Sequence, residues 1–312
     1  MTRNNLLKAV AVGIVLASTT TGAAYAVPSY AYADLSFTNF TLGGVIGAPG
    51  VTVNSTSVTL TDGANYPGFA PASNSAAGNT TTGADVTQAT SGPGTFPGPN
   101  TFTQAMLPAG ALLPAGTRGD ALITGAIAGG ATSNLVAEGK LSVPNASAGS
   151  QSGTSTTLNI SFTAGAGTGP ITLNFTASSM AQAIVGTNGD SANAQLGATF
   201  RIFDQTAGTF LFITDNTDPT DSGTNIAPNA LNTNVSTSNA ASPATFTSGP
   251  TAYSFTSAPL TSGHTYQLAL QDSTTILLST GAAAVPEPAS LALLGSGIMA
   301  LGLLRRRRNQ KS

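Results

Sequence analysis

The chain has 312 residues, of which 7% are charged, with one histidine and no cysteine or tryptophan. Disulfide scaffolds, thiol chemistry and Cys- or His-rich metal clusters are excluded, and coiled coils or charge-laced bundles lack the Lys, Glu and Arg they need. The net charge of −2 conceals a sorting: residues 34–284 hold three basic and eleven acidic groups, a net of −8, and so offer no basic stripe for non-specific binding of nucleic acid.

The N-terminal residues read as a secretory signal peptide over 1–26. Arg3 and Lys8 give a positive start, Ala9 to Ala17 is a short apolar run, and Ala24-Tyr25-Ala26 is an A-x-A site for signal peptidase that leaves Val27 first. A second such site, Ala31-Tyr32-Ala33, would leave Asp34 first. The first is expected because it lies closer to the apolar run, which is too short to be a membrane span.

Residues 27–284 read as a β-rich extracellular domain. Short alternating or β-branched runs predict strands at Leu35–Leu42, Val51–Leu60, Leu158–Phe162, Ile171–Ala177, Ala198–Phe203, Phe210–Thr214, Tyr253–Thr256, Thr265–Leu270 and Thr274–Ser279. Ala121–Ala128 and Asn134–Val143 carry a fainter pattern. In Ile171-Thr172-Leu173-Asn174-Phe175-Thr176 the alternation is strict, apolar in and polar out. Thr206-Ala207-Gly208 separates two aromatic runs and predicts a hairpin. The segments Asn65–Asn100 and Thr217–Pro243 have few large apolar residues and read as long flexible loops, and Ala181–Val185 as one short helical turn. The expected fold is all-β, an antiparallel sandwich or jelly roll with a modest core of Phe, Val, Leu and Ile.

Several residues in this body carry potential chemistry. Asp215, Asp218 and Asp221 sit three apart in an Asn- and Thr-rich segment. They offer oxygens to calcium, although no Glu closes an EF-hand pattern and Asp is also an ordinary turn residue. Glu138 is the body's one glutamate beside ten scattered aspartates, and no facing carboxylate pair of the glycosidase kind stands out. His264 has no nucleophile to serve, and no G-x-S-x-G is present. Tyr66 and Phe69, beside Pro67 and Gly68, could stack on sugars from a loop. No catalytic residue and no cofactor is expected.

The C-terminal residues have three consecutive parts: Val285-Pro286-Glu287-Pro288, an apolar stretch from Ala289 to Leu304, and Arg305, Arg306, Arg307 and Arg308. The apolar stretch would be about 24 Å long as a helix, a little short of the roughly 30 Å hydrocarbon core, a gap that snorkelling arginines and local thinning cover. The arginines hold that end in the cytoplasm and leave the preceding domain outside. Two prolines keep Glu287 extended, a shape that suits a protease groove.

This arrangement resembles the PEP-CTERM sorting signal of Gram-negative bacteria over Val285 to Arg308. The resemblance implies processing by exosortase, an integral-membrane enzyme that cuts near Pro286-Glu287-Pro288. It also implies an inner-membrane precursor, held by its transmembrane helix, that passes to the cell surface or extracellular matrix. Proteins with such a tail are linked to exopolysaccharide and biofilm. The expected function is that of a non-enzymatic surface or matrix protein. A carbohydrate-binding module of the matrix and a secreted hydrolase with an unrecognised site are the alternatives.

Overall fold

Small or apolar side chains alternating with threonine, serine and asparagine satisfy a pleated backbone that buries one face. The computed structural model describes residues 28–106, 115–127, 129–153, 156–213 and 231–281. Among them the strands are β1 (Ser29–Gly43), β2 (Val51–Asn65), β3 (Ala72–Gly78), β4 (Ala84–Asp85), β5 (Ala89–Ser91), β6 (Gly116–Thr124), β7 (Ala131–Leu141) and β8 (Ala146–Ser152). They continue with β9 (Thr156–Ala164), β10 (Thr172–Ile184), β11 (Ser191–Asp204), β12 (Thr209–Ile213), β13 (Thr233–Thr237), β14 (Ala244–Thr256) and β15 (Thr265–Thr280).

The strands form two antiparallel sheets. One has seven strands in the order β14-β10-β1-β7-β6-β4, with β5 also on β6. The other has eight in the order β12-β11-β15-β8-β2-β3, with β13 on β11 and β9 bridging β15 and β2. Their facing sides share one core, which makes the body the expected all-β antiparallel sandwich. At its centre Phe175 packs against Phe37, Phe40, Phe200, Tyr253 and Phe255, with its ring centroid 5.1 Å from that of Phe200. Gly119 allows β6 to close on the other sheet, since a Cβ there would lie 2.3 Å from the Gln151 carbonyl oxygen. Asp190 ties the two ends of the body together: its carboxylate accepts from the Ser29 hydroxyl at 3.1 Å and from the Gly281 amide at 2.9 Å.

The structure corrects several expectations. Ala181–Val185 is not a helical turn; Ala181 and Ala183 lie on the buried face of β10 and pair with β1 and β14, and this pairing overrides alanine's helical preference. Asn65–Asn100 is not one long loop. It contains β3, β4 and β5, and β3 pairs along β2 with small Ala, Ser and Asn side chains that give little hydrophobic signal. Thr217–Pro243 contains β13, whereas 214–230 lie outside the described residues. The two runs at Thr265–Leu270 and Thr274–Ser279 are one strand of 16 residues, β15. The hairpin at Thr206-Ala207-Gly208 forms as expected, with Gly208 at φ 72° and its amide bonded to the Asp204 carbonyl at 2.8 Å.

The seven-stranded sheet is buried on both sides along β6, β7 and the first half of β1. Tyr30 and Tyr32 of β1 and Val136 of β7 point away from the main core and pack with Met106, Phe96 and Phe102. The segment 96–106 thus covers the outer face of this sheet around β1 and β7, whereas outward side chains of β14 such as Ser254 and Thr256 are exposed.

Candidate functional site

Among the described residues, three sets of polar side chains and one groove are the places where the body could do chemistry. The first cluster lies under the 96–106 segment. Cross-strand register places Arg118 of β6 opposite Glu138 of β7, and Glu138 opposite Tyr32 of β1. Arg118 Nε donates to Glu138 Oε2 at 2.8 Å, and both side chains are fully buried. Glu138 Oε1 also accepts from the Tyr30 hydroxyl at 2.8 Å and from the Ala105 and Met106 amides at 2.9 and 2.8 Å. The other guanidinium nitrogens of Arg118 donate to the carbonyls of Thr101 and Thr103, and the Tyr32 hydroxyl to that of Phe102. Burial and then the Glu138 charge push the Tyr30 phenol far above its usual range, and burial followed by Asp34 and Glu138 does the same to Tyr32. Both oxygens of Glu138 are occupied by the fold. The arrangement staples a strap to a sheet and leaves Glu138 no room to act on a substrate.

The second cluster is a pair of buried aspartates. Asp62, on β2, is 1% exposed and Asp120, on β6, fully buried. Burial pushes Asp62 up to about 7; the Ser152 hydroxyl and Ala121 amide pull against that shift, and the Asp120 and Asp85 charges add to it. The pull is weak, because neither oxygen of Asp62 has a well-formed hydrogen bond and the Ser152 hydroxyl is spent on the Asp120 carbonyl at 2.8 Å. Burial likewise raises Asp120, against the Asn100 amide that donates to its Oδ2 at 2.6 Å. Asp34, on the outer face of β1, is also pushed up to about 7 by burial, which Arg118 opposes. Among the described residues no group of three His, Cys, Asp or Glu is placed to hold a metal ion.

The third cluster pairs the lone histidine. His264 Nδ1 lies 2.7 Å from Asp204 Oδ2, and Asp204 Oδ1 accepts from the Thr206 and Ala207 amides, each at 2.9 Å. Burial alone would raise Asp204, but His264 and these amides outweigh it and hold the carboxyl below its usual range. His264 is a half-buried clasp on the β11–β12 hairpin. Sequence reasoning missed both pairings, because 60 residues separate Asp204 from His264 and 20 separate Arg118 from Glu138. A signal for the second did exist: Arg118 and Asp120 alternate with Gly119 and Ala121, as do Val136 and Glu138 with Ala137, the pattern of strands buried on two faces.

The groove crosses the outer face of the eight-stranded sheet. It encloses about 890 Å³ and is lined by Asn65, Gln151, Asn193, Gln195 and Asn234 among small residues, with Leu277 near the middle. Leu277 is 59% exposed. By contrast Tyr66, expected to offer an exposed ring, is a core residue at 2% exposure, because β2 turns it inward; only Phe69 is open, at 46%, and its ring rests edge-on against Tyr66 at 5.9 Å.

The expected processing and sorting residues, Ala24, Ala26, Pro286, Glu287, Pro288 and Arg305 to Arg308, lie outside the described residues, as do Asp215, Asp218 and Asp221. The alternative cleavage site does not. Ala31 and Ala33 are fully buried in the middle of the pairing of β1 with β7 and β10. Among the described residues no helix is long and apolar enough to cross a membrane, and the apolar stretch Ala289–Leu304 is outside them.

Residues 284–308 match the PEP-CTERM protein-sorting motif, which covers the three-part end and implies a secreted surface protein processed by exosortase. No curated protein and no solved structure shows significant similarity to the chain.

Proposed function

We propose that this chain is a non-enzymatic bacterial surface protein, exported through the general secretory pathway and released by exosortase, whose β-sandwich body works in the extracellular matrix beside exopolysaccharide. The observation that carries the reading is the sorting motif at 284–308, with its proline-flanked Glu287, apolar stretch and arginine cluster in order. The precursor is held in the inner membrane by Ala289–Leu304 and kept oriented by Arg305 to Arg308.

Export by signal peptidase after Ala26 is supported from the folded side. A cut after Ala33 would remove Ser29 to Ala33, and with them the Ser29–Asp190 and Tyr30–Glu138 bonds and two buried alanines of the core. A cut after Ala26 leaves all of β1 in the mature chain. A non-catalytic body is supported by what the fold does with its scarce acid–base groups: Glu138 is spent on Arg118 and backbone amides, and His264 on Asp204.

Replacing Pro286, Glu287 and Pro288 with alanine tests the reading. The variant should accumulate as a membrane-bound precursor about as large as the uncut chain, while the parent appears outside the cell as a shorter form. Release of the variant at the parent's rate and size would overturn it.

A further inference from the structure

We infer that the groove on the eight-stranded sheet binds a neutral polysaccharide chain, laid across the strands. This rests on the reading of the body as a matrix component and names the ligand class its open face would take. The groove runs over β3, β2, β8, β15, β11 and β13, five strand spacings or about 24 Å, which is room for several linked sugars.

The floor is built in cross-strand rows. Thr275 of β15 is flanked by Gln151 of β8 and Gln195 of β11, and Gln195 in turn by Asn234 of β13. Leu277, two residues on, is flanked by Gly149 and Asn193. An amide side chain donates and accepts at once, as a sugar hydroxyl does, and the side chains of Gln151 and Gln195 make no hydrogen bond within the described residues. Leu277 offers an apolar platform for the C–H face of a pyranose. Gly149 beside it keeps the floor low: a Cβ there would press on Leu277 Cδ2 at 3.2 Å.

Charge and backbone argue against other occupants. None of the groove's lining residues is charged, so an anionic polymer finds no cation there and meets a body whose net charge from 34 to 284 is −8. A second copy of the chain carries the same charge and is repelled. A peptide adding as a strand needs a free edge, yet the strands of the groove's floor, β2, β8, β15 and β11, are each paired on both sides, and only the rim strands β3 and β13 are paired on one.

The test uses the mature exported protein in affinity electrophoresis through gels containing dextran, galactomannan or alginate. Retardation is expected in at least one neutral gel and not in alginate. The Gln151→Ala, Gln195→Ala and Leu277→Ser changes, combined, should weaken it by roughly tenfold or more, with unchanged far-UV circular dichroism. Thr247→Ala on β14, outside the groove, should bind as the parent does. Failure of both neutral polymers to retard the parent, stronger retardation by alginate, or undiminished binding by the triple variant would overturn the inference. Dimerisation abolished by the same three changes would make a second copy the occupant and overturn it too. Cell fractionation separates the two readings: a processed, exported protein that binds no glycan defeats the groove alone, whereas an unprocessed protein in the cytosol defeats the surface role.

Discussion

Asp62 gives the body an inverted response to pH. Its carboxyl is 1% exposed and pushed from an ordinary 3.8 up to about 7, mainly by burial. The folded state therefore prefers the protonated acid. Stability from this group is full below about pH 4, declines as the unfolded chain ionises, and is lost once pH has risen through about 7. A shift of about 3 units is worth about 4 kcal/mol in total, and between pH 5 and pH 8 roughly 3 kcal/mol of that disappears. Asp34, raised to about the same value, adds a loss of the same sign over the same window. Asp204, held low by His264, contributes in the opposite sense but only at acid pH, outside that window. Set against a total of roughly 5–15 kcal/mol for a domain, these losses are large.

The perturbation is Asp62→Asn, which keeps the shape of the protonated acid and cannot ionise. Urea unfolding followed by far-UV circular dichroism, at pH 5 and pH 8, is the assay, since the chain has no tryptophan. The parent should be markedly more stable at pH 5. The variant should match the parent within about 1 kcal/mol at pH 5 and exceed it by roughly 2–4 kcal/mol at pH 8. A parent that is more stable at pH 8 than at pH 5, or a variant equally destabilised at both, would refute the reasoning.

Three further outcomes follow from the packing. Glu138→Gln leaves the Arg118 guanidinium buried without its anion and should cost about 3–5 kcal/mol in urea unfolding. Hydrogen exchange should speed at the Ala105 and Met106 amides, which would lose their carboxylate acceptor, and unchanged protection there would show that the strap is held by something else. Phe175→Ala removes the hub of the aromatic cluster, 3% exposed, and should cost about 3–5 kcal/mol; a loss under about 1 kcal/mol would mean that the core closes over the gap. Intact mass of the exported protein should fit a chain beginning at Val27, and a chain beginning at Asp34 would show that β1 assembles without Ser29 to Ala33.

Much of the fold was written in local pattern, and what was hidden has a physical reason. Runs with large side chains, such as Leu173-Asn174-Phe175 in β10 and Leu268-Ala269-Leu270 in β15, announce a buried face by period two. The strands β3 and β8 do not, because Ala72–Gly78 and Ala146–Ser152 are built almost wholly from Ala, Ser, Asn, Gln and Gly. For β8 the pairing is also determined by neighbours distant in sequence: it lies between β15 and β2, far from it on either side. Alanine misled at Ala181 for the same reason. A residue with helical preference and no bulk takes whatever backbone its partners impose, and here β1 and β14 impose a strand.

The sites separate along the same line. The sorting residues form a contiguous address that recognition by a membrane enzyme requires to be local, so Pro286 to Arg308 can be read without a fold. The groove is the opposite case. Gln151, Gln195 and Asn234 come from β8, β11 and β13, and become neighbours only because β15 threads between the first two. The buried Arg118–Glu138 pair lies between. Its members sit on adjacent strands joined by a short turn, yet their burial depends on the 96–106 strap, which closes over the sheet from a different part of the chain. A chain whose middle has three cations places one of them where no solvent reaches, at a cost in desolvation that only its paired carboxylate and fixed carbonyls offset. That placement makes the strap a fixed cover over β1, β7 and β6 of one sheet, and it leaves the uncharged groove on the outer face of the other sheet open.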